Sequence, residues 1–413
     1  MRVCVIGGGP AGMTAAITAA ENGMQTVLLE HGERVGKKLL QTGNGKCNYT
    51  NMNLTPPCYH SDREDFPMSA LKKFGPEDTV EWFRSLGVEP FVKEGGYVYP
   101  HSGQAASVLN ALRSECGRTG VRVVTACTVK DIRRKKDGGF RVLTDLEMFT
   151  ADRLILACGS KASPGTGSDG SGFALAEKLG HRIVEPLPAL CGLYCAEKEF
   201  FRSAAGVRVN ASVRLMLENR EVEREEGEVQ LTSYGLSGIP VFQVSRTASR
   251  ALHVGSRVEA EVNFLPDFPD AAEYLKKRIS ARDYGSLEAL GNGLLNKSLW
   301  NALLRDAGLK PGTDPVKITE KEVEKLAETV TASRFRIIRT AGFDQAQCCT
   351  GGVDVRDVDP ETMESRLVPG LRFAGEILDV DGICGGYNLQ WCWTSGTLAG
   401  RNAARILDGP GQT

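Results

Sequence analysis

A short run of β-branched residues followed at once by a glycine-rich turn constrains the fold more than any other part of this chain. Residues 2–6, RVCVI, have the composition of a strand that is buried on both faces. Gly7, Gly9 and Gly12 follow at the spacing G-x-G-x-x-G, and a helix of small residues is predicted from about Met13 to Asn22. The pattern predicts a strand–turn–helix unit whose turn binds phosphate.

Each residue of the turn has a physical task. Gly7 permits a tight turn, Gly9 lets a pyrophosphate approach the backbone, and Gly12 lets the helix pack closely on the strand. Pro10 and Ala11 lie between them, where the helix begins to offer free N–H groups and a partial positive charge to the phosphates.

A second strand is predicted at Gln25–Leu29, and it ends at Glu30. A carboxylate at this place accepts hydrogen bonds from both ribose hydroxyls of an adenosine. It also repels a 2′-phosphate, which argues against NADP in this site. The sequence therefore predicts a complete dinucleotide-binding β–α–β unit.

Two later segments separate FAD from NAD. Residues 153–159, RLILACG, predict a strand that brings the chain back beside the cofactor, and residues 370–376, GLRFAGE, predict another that ends in Gly-Glu. A last helix is predicted from about Gly386, and its N-terminus would stabilise the negative charge of a reduced flavin. A first-strand motif completed near the end of the chain is typical of FAD domains, so FAD is the predicted cofactor.

No second G-x-G-x-x-G follows a strand. We therefore expect NAD(P)H to be a diffusible electron donor that docks transiently over the flavin, or the electrons to come from elsewhere.

Composition limits the remaining classes. A chain of 413 residues is too long for one core, and its 50 Lys and Arg balance 51 Asp and Glu, so nucleic acid is not favoured as a partner. No apolar run approaches the roughly 20 residues that span a bilayer. The twelve cysteines are scattered, several in apolar runs, and the chain begins directly with a strand. We expect buried thiols, no metal site, a cytoplasmic location, and a monomer or dimer.

Four stretches, in order along the chain, carry a resemblance to a known family: VIGGGPAGMTAA with Glu30, KKLLQTGNGKCNYTN (37–51), TSYGLSGIPVFQVS (232–245), and the long run from Thr350 to Gly400. They resemble the YhiN/BaiN-like NAD(P)/FAD-dependent oxidoreductases, also called the aminoacetone oxidase family of FAD-binding enzymes. The family's pattern usually has Arg before the Cys of the GxGxCN segment, and in this chain Lys46 keeps the charge there but not the bidentate geometry.

The resemblance implies an α/β fold: a discontinuous, Rossmann-type doubly wound FAD domain with an inserted β-rich domain and a helical subdomain. Segments with helical spacing that begin at Asp270 and Thr319 agree with the helical part. The implied boundaries are 1–188 and 346–413 for the FAD domain, 189–265 and 330–345 for the β-rich domain, and 266–329 for the helical subdomain.

The motifs and the resemblance together imply a cofactor site in which the loop 43–48 passes beside the flavin ring. Cys47 has no partner at C-x-x-C spacing, so a disulfide mechanism is disfavoured. The predicted cofactor-binding residues are Gly7, Gly9, Pro10, Ala11, Gly12, Glu30, Lys38, Gly43, Asn44, Gly45, Cys47, Asn48, Val129, Ala157, Gly159, Gly375, Glu376, Asp381, Gly386, Tyr387, Asn388 and Leu389.

Three side chains are predicted as catalytic donors: Tyr387, His101 and Tyr234. Tyr387 lies at the start of the last helix, and His101 lies by resemblance near the cofactor or substrate. An ordinary surface histidine before a helix remains an alternative for His101.

The resemblance implies NAD(P)H-linked reduction of a conjugated C=C bond in a small molecule, with a bile-acid or steroid-type enone as the first choice. Three alternatives stay open: reduction of a uridine double bond in RNA, oxidation of an amine or aminoketone by oxygen, and a flavin-binding sensor without turnover.

Overall fold

The computed structural model describes residues 1–136 and 138–405. Its strands are β1 Arg2–Ile6, β2 Gln25–Leu29, β3 Thr50–Asn51, β4 Tyr59–His60, β5 Pro90–Val92, β6 Tyr97–Pro100, β7 Arg122–Val124, β8 Val129–Arg134, β9 Phe140–Thr144, β10 Met148–Ala151, β11 Arg153–Leu156, β12 Ile183–Ala189, β13 Leu193–Cys195, β14 Arg208–Leu217, β15 Arg220–Thr232, β16 Gly235–Ser237, β17 Val258–Asn263, β18 Ser333–Thr340, β19 Cys348–Val353, β20 Leu371–Phe373 and β21 Asp381–Gly382.

The helices are α1 Pro10–Glu21, α2 Asp65–Leu71, α3 Pro76–Ser85, α4 Ala105–Arg118, α5 Ser171–Lys178, α6 Lys198–Ala204, α7 Ile239–His253, α8 Ala271–Ala281, α9 Leu287–Leu290, α10 Lys297–Asp306, α11 Glu320–Thr331 and α12 Tyr387–Ala403. The chain divides into two compact units. The first combines Met1–Leu187 with the chain from Gln347 on, and the second is Pro188–Ala346.

The first unit is built on a five-stranded sheet in the order β20-β11-β1-β2-β7. Its strands are parallel, and the register aligns Ile6 with both Leu29 and Leu156, and Leu156 with Phe373. The carboxyl ends of four strands therefore lie at one edge, which is where ligands bind in open parallel sheets. This arrangement confirms the predicted discontinuous α/β fold, because β20 comes from the far end of the chain.

Helices α1 and α12 pack closely on each other in this unit. A Cβ atom at Gly396 would lie 2.6 Å from the Ala11 carbonyl oxygen, and one at Gly400 would lie 2.6 Å from the Ala15 carbonyl oxygen. These two glycines, one turn apart, let the backbones approach. The predicted start of the first helix at about Met13 is wrong, since α1 begins at Pro10: proline suits the first helical position, where no N–H is needed.

The second unit contains a closed, six-stranded antiparallel sheet in the order β13-β16-β15-β14-β17-β18. Helices α8 to α11 lie between β17 and β18 in the chain. The predicted caps are confirmed: Asp270 accepts from the Glu273 backbone N–H, and Thr319 forms a capping box with Glu322. No helix among the described residues is long and apolar enough to cross a membrane.

Candidate functional site

The turn between β1 and α1 has the close contacts that its glycines predict. Gly7 has a φ of 107°, and a Cβ atom there would lie 2.3 Å from the Ala157 carbonyl oxygen. A Cβ atom at Gly12 would lie 1.8 Å from the Gly7 carbonyl oxygen. A Cβ atom at Gly9, by contrast, would meet nothing within 4 Å. Gly7 and Gly12 are thus required by packing, whereas the space at Gly9 is free for a phosphate.

Glu30 is held in place by two backbone donors. The N–H of Gly8 donates to Oε2 and the N–H of Gly32 donates to Oε1, both at 2.7 Å. A Cβ atom at Gly8 would lie 2.9 Å from the same Oε2, so this glycine is also required. Gly8 was not among the predicted residues, and the only signal for it was the run of three glycines. The remaining lone pairs of the carboxylate are available for a ribose diol.

A pocket lies next to Glu30, and the predicted cofactor residue Val129 is part of its wall. Burial, with a smaller contribution from Glu30, raises the pKa of the Cys158 thiol in this wall to about 12. The thiol is therefore neutral, while Glu30, His31, Thr128 and Ser171 give the wall polar groups. The pocket is lined by Ile6, Gly7, Leu29, Glu30, His31, Cys127, Thr128, Val129, Cys158, Gly167, Ser171 and Leu175.

The end of β11 closes this side of the sheet edge. The Ala157 N–H donates to the Ile6 carbonyl at 2.8 Å, which continues the parallel pairing by one residue. Gly159 follows with a φ of 74°, and a Cβ atom there would lie 3.0 Å from Ser168 Oγ. The strand ends at Leu156 rather than at 159, because these turns leave the extended conformation.

Lys38 and Glu376 form an ion pair that joins two distant segments. Lys38 Nζ lies 2.7 Å from Glu376 Oε2, and the Ser160 hydroxyl donates to the same oxygen at 3.1 Å. Burial opposes the charged form of Lys38, but the Glu376 carboxylate outweighs it and raises the lysine pKa. Ser160 was not predicted, since nothing in its local pattern marks it.

Gly375 brings the end of β20 against the start of α1. A Cβ atom there would lie 2.7 Å from Ala11 Cβ, and the Gly375 N–H donates to Ser395 Oγ at 2.8 Å. The predicted Gly375–Glu376 pair therefore lies beside the turn that is predicted to bind phosphate.

The predicted loop at 43–48 is strongly curved. Gly43, Asn44, Gly45 and Cys47 have φ angles of 54°, 54°, 82° and 59°. Burial raises the pKa of the Cys47 thiol to about 12, so it is no thiolate nucleophile at neutral pH.

Asn48 ends this loop with a buried acceptor. Its Oδ1 has no hydrogen-bond partner within residues 1–136 and 138–405. A Cβ atom at Gly386 would lie 3.0 Å from that oxygen, so the loop and the start of α12 meet here. A buried acceptor without a donor costs free energy, and a cofactor edge that presents an N–H group would satisfy it.

The start of α12 is fixed by side chains that were predicted to bind the cofactor. The Tyr387 hydroxyl donates to the Asn53 carbonyl at 2.9 Å, and burial raises the tyrosine pKa. Asn388 donates to the Gly382 carbonyl and accepts from the Gly382 N–H, both at 2.8 Å. These side chains fix the start of the helix. The backbone N–H groups of its first turn, including that of Leu389, have no acceptor within the helix.

Asp381 lies nearby in β21. It is buried and pairs in register with His60 of β4.

The structure gives each of the three predicted catalytic residues its own neighbours. His101 is exposed after β6, with its ring edge-to-face against Phe91 at 6.1 Å. In the described part of the first unit, no hydrogen bond or ring contact joins His101 to Tyr387. Tyr234 belongs to the second unit, where its ring stacks on Tyr194.

A family model, the HI0933-like protein Rossmann domain, matches residues 1–402 of the chain. The chain belongs to the HI0933-like Rossmann family. It is 43% identical over 409 residues, 98% of this chain and 99% of the relative, to the 3-dehydro-bile acid delta(4,6)-reductase of Clostridium scindens. This result confirms the predicted family resemblance.

More distant relatives have a different name. The ribosomal RNA dihydrouridine synthase of Escherichia coli is 31% identical over 398 residues, 95% of each chain. Among solved structures, 3-ketosteroid delta1-dehydrogenase from Sterolibacterium denitrificans has a TM-score of 0.51 at 12% identity, covering 97% of this chain and 98% of that one. That likeness shows a shared fold.

Proposed function

We propose that this protein is an FAD-dependent oxidoreductase that uses NAD(P)H to reduce a conjugated C=C bond in a 3-oxo bile-acid or steroid-type enone. The observation that carries the proposal is the 43% identity to a 3-dehydro-bile acid delta(4,6)-reductase, which extends over nearly the whole of both chains.

The geometry of the first unit supports FAD as the cofactor. Glu30 is oriented to accept from a ribose, the open side of Gly9 admits a pyrophosphate, and the unpartnered Asn48 Oδ1 needs a donor. Lys38, paired with Glu376, adds a positive charge close to the β20 end. These groups are spread along one sheet edge, as a long dinucleotide requires.

Held by Glu30, the turn at Gly9 and Lys38, FAD would supply hydride chemistry for an enone, and a proton would still have to reach the α-carbon. The N-terminus of α12 would favour negative charge that develops next to it, because its first N–H groups are free. Tyr387 serves as a positioning residue for that helix, since its hydroxyl proton is already donated to Asn53. Water, or another group that contacts the substrate, is therefore the better proton source.

The test uses the purified holoprotein under anaerobic conditions. NADH and NADPH are added separately, and loss of the oxidised-flavin absorbance identifies the donor. A bile acid with a 3-oxo group and the delta(4,6) diene of the relative's substrate name is then added. We expect the flavin to be reoxidised and the product to gain two hydrogen atoms in the mass spectrum. A saturated 3-oxo bile acid is the matched control, and an unchanged reduced flavin with the diene would refute the proposal.

A uridine reductase is the second candidate, because two relatives named ribosomal RNA dihydrouridine synthase match 95% of the chain. The same reduced enzyme is mixed with unmodified ribosomal RNA. Reoxidation by RNA but not by the diene would replace the first proposal with this one.

A further inference from the structure

Strand β6, in the middle of the small sheet β3-β6-β5 of the first unit, has a buried face and a more open one. Val98 and Pro100 are buried on the first face. Tyr97 and Tyr99, which alternate with them, are half-buried. Because side chains alternate along a strand, the two tyrosines share the open face. We call these two residues the β6 tyrosine pair.

The β6 tyrosine pair lies against both segments that were predicted to flank the flavin ring. A Cβ atom at Gly385, just before α12, would lie 3.1 Å from Tyr97 Cε1. A Cβ atom at Gly43, in the loop 43–48, would lie 3.6 Å from Tyr99 Cε1. The open face of β6 therefore borders the region in which the reacting end of the cofactor is predicted to lie.

Tyr97 is held in place by glycines on two sides. A Cβ atom at Gly95 would lie 2.7 Å from Tyr97 Cε2, on the other edge of the ring from the Gly385 contact. Asn51, which pairs with Tyr97 in register, donates from its side-chain amide to the Gly385 carbonyl at 3.1 Å. The ring is thus ordered by its surroundings, so a ligand that binds the hydroxyl loses little affinity to side-chain ordering.

The hydroxyl of Tyr97 differs from those of the other tyrosines around the start of α12. The Tyr59 hydroxyl donates to the Tyr387 carbonyl at 2.9 Å, and the Tyr387 hydroxyl donates to Asn53. The Tyr49 hydroxyl is buried. The Tyr97 hydroxyl has no hydrogen-bond partner among the described residues, and solvent reaches it. It is therefore a fixed donor that is available to a ligand.

Tyr99, the second member of the pair, has different neighbours. Its hydroxyl also has no hydrogen-bond partner within residues 1–136 and 138–405, but Lys93 Nζ lies 4.8 Å from its ring centroid. The lysine covers part of this ring, and Tyr99 lies on the side of the loop 43–48 rather than on the side of α12. Tyr99 therefore serves as a matched reference for Tyr97.

We propose that the Tyr97 hydroxyl donates a hydrogen bond to the ketone oxygen of the enone substrate. Negative charge builds on this oxygen as the conjugated C=C bond is reduced, so a fixed donor there stabilises the transition state more than the bound substrate. The O–H bond of Tyr97 stays intact, and the proton for the α-carbon still comes from water or another group. The inference rests on the proposed function and names the residue that recognises the ketone.

The test compares two ligands on the oxidised holoprotein, on which binding is measured without turnover. The ligands are the 3-oxo diene bile acid and the same diene without its 3-oxygen. Tyr97→Phe keeps the ring between its glycines and removes only the hydroxyl, and Tyr99→Phe makes the same change two residues away on the same strand face. Calorimetry gives the dissociation constants, and flavin reoxidation after anaerobic reduction gives the rates.

We expect Tyr97→Phe to weaken binding of the 3-oxo diene by about 3- to 10-fold, because one hydrogen bond between neutral groups is lost. Reoxidation by this diene should slow by about 100-fold, since the donor matters most where charge develops. Binding of the deoxy diene and of FAD should change by less than about twofold, as should every measurement on Tyr99→Phe. A merely structural role of Tyr97 would weaken both ligands alike.

The outcomes separate this inference from the proposed function. If the diene reoxidises the flavin equally well in wild type and Tyr97→Phe, with equal binding, the Tyr97 inference is wrong and the function stands. If the diene never reoxidises the flavin, but its binding depends on both the ketone oxygen and the Tyr97 hydroxyl, the proposed function fails alone. Equal losses for the two ligands, or equal losses in Tyr97→Phe and Tyr99→Phe, would overturn the assignment to Tyr97. A diene that neither binds nor reoxidises the flavin would overturn both.

Discussion

Changing Glu30 to Gln tests whether this carboxylate holds the ribose of the cofactor. The substitution keeps the size of the side chain and one of its oxygens. In the wild type, the backbone N–H groups of Gly8 and Gly32 both donate to the carboxylate, at 2.7 Å each. The amide has one acceptor oxygen and a donor group, so it cannot serve both N–H groups and a ribose diol at once.

The magnitude follows from what the site loses. At least one hydrogen bond to a charged acceptor disappears, which contributes about 1.5–3 kcal/mol. We therefore expect FAD to bind about 10- to 150-fold more weakly to Glu30→Gln. The flavin chemistry should survive at saturating FAD, since Glu30 contacts the adenosine half in this proposal.

The assay removes the cofactor and titrates FAD back while its fluorescence is followed. Glu33→Gln is the matched control, because Glu33 is exposed three residues away. Thermal unfolding of the apoproteins shows whether the turn itself has been damaged. Dissociation constants that differ by less than about threefold between Glu30→Gln and the wild type, with equal apoprotein stability, would refute the ribose assignment.

Three further changes test the packing of the first unit by denaturant unfolding. Gly396→Ala should destabilise it by about 1–3 kcal/mol, because the new Cβ meets the Ala11 carbonyl, whereas Gly117→Ala, where a Cβ meets nothing within 4 Å, should not. Arg372→Met should lower the free energy of unfolding by about 3–5 kcal/mol, because it leaves the buried Glu364 carboxylate without its partner; burial already lowers the Arg372 pKa to about 10. The double variant Arg372→Met with Glu364→Gln should recover part of this loss. Fully additive effects of the two substitutions would contradict the pairing. Burial lowers the pKa of His181 below its ordinary 6.5, so the folded state favours the neutral ring. The stability that the neutral His181 ring contributes is fully present above pH 6.5 and is lost as the pH falls. His181→Gln should therefore lose less stability than the wild type between about pH 7.5 and pH 5. An equal loss of stability in both proteins would contradict this prediction.

The sequence predicted those parts of the site whose requirements are local. Gly7 and Gly12 are needed by contacts within one strand–turn–helix unit, and Glu30 ends the next strand, so spacing alone revealed them. Ser160 and the Lys38–Glu376 pair, by contrast, join segments more than 100 residues apart. Only Lys38 and Glu376 were predicted, and that prediction came from the resemblance to a family.

Tyrosine stacking in the second unit lay beyond sequence reasoning for another reason. Strand alternation predicts which side chains share a face, but the bulge at Ile338 changes that alternation for Arg339. Tyr234 was predicted as a donor, while its partners Tyr194 and Arg339 were not. The catalytic roles of Tyr387, His101 and Tyr234 stay predictions.

The order of strands in the parallel sheet has a consequence for how the protein reaches its native state. β1 pairs with β11, and β11 with β20, so the cofactor edge is assembled from chain positions about 150 and about 370. A ribosome that has released the chain only as far as Gly370 has made the glycine turn and Glu30, but neither β20 nor α12. Contacts of such high sequence separation form slowly, because loop closure precedes them. Cofactor binding should therefore follow synthesis of the last helix, and FAD fluorescence would report when folding is complete.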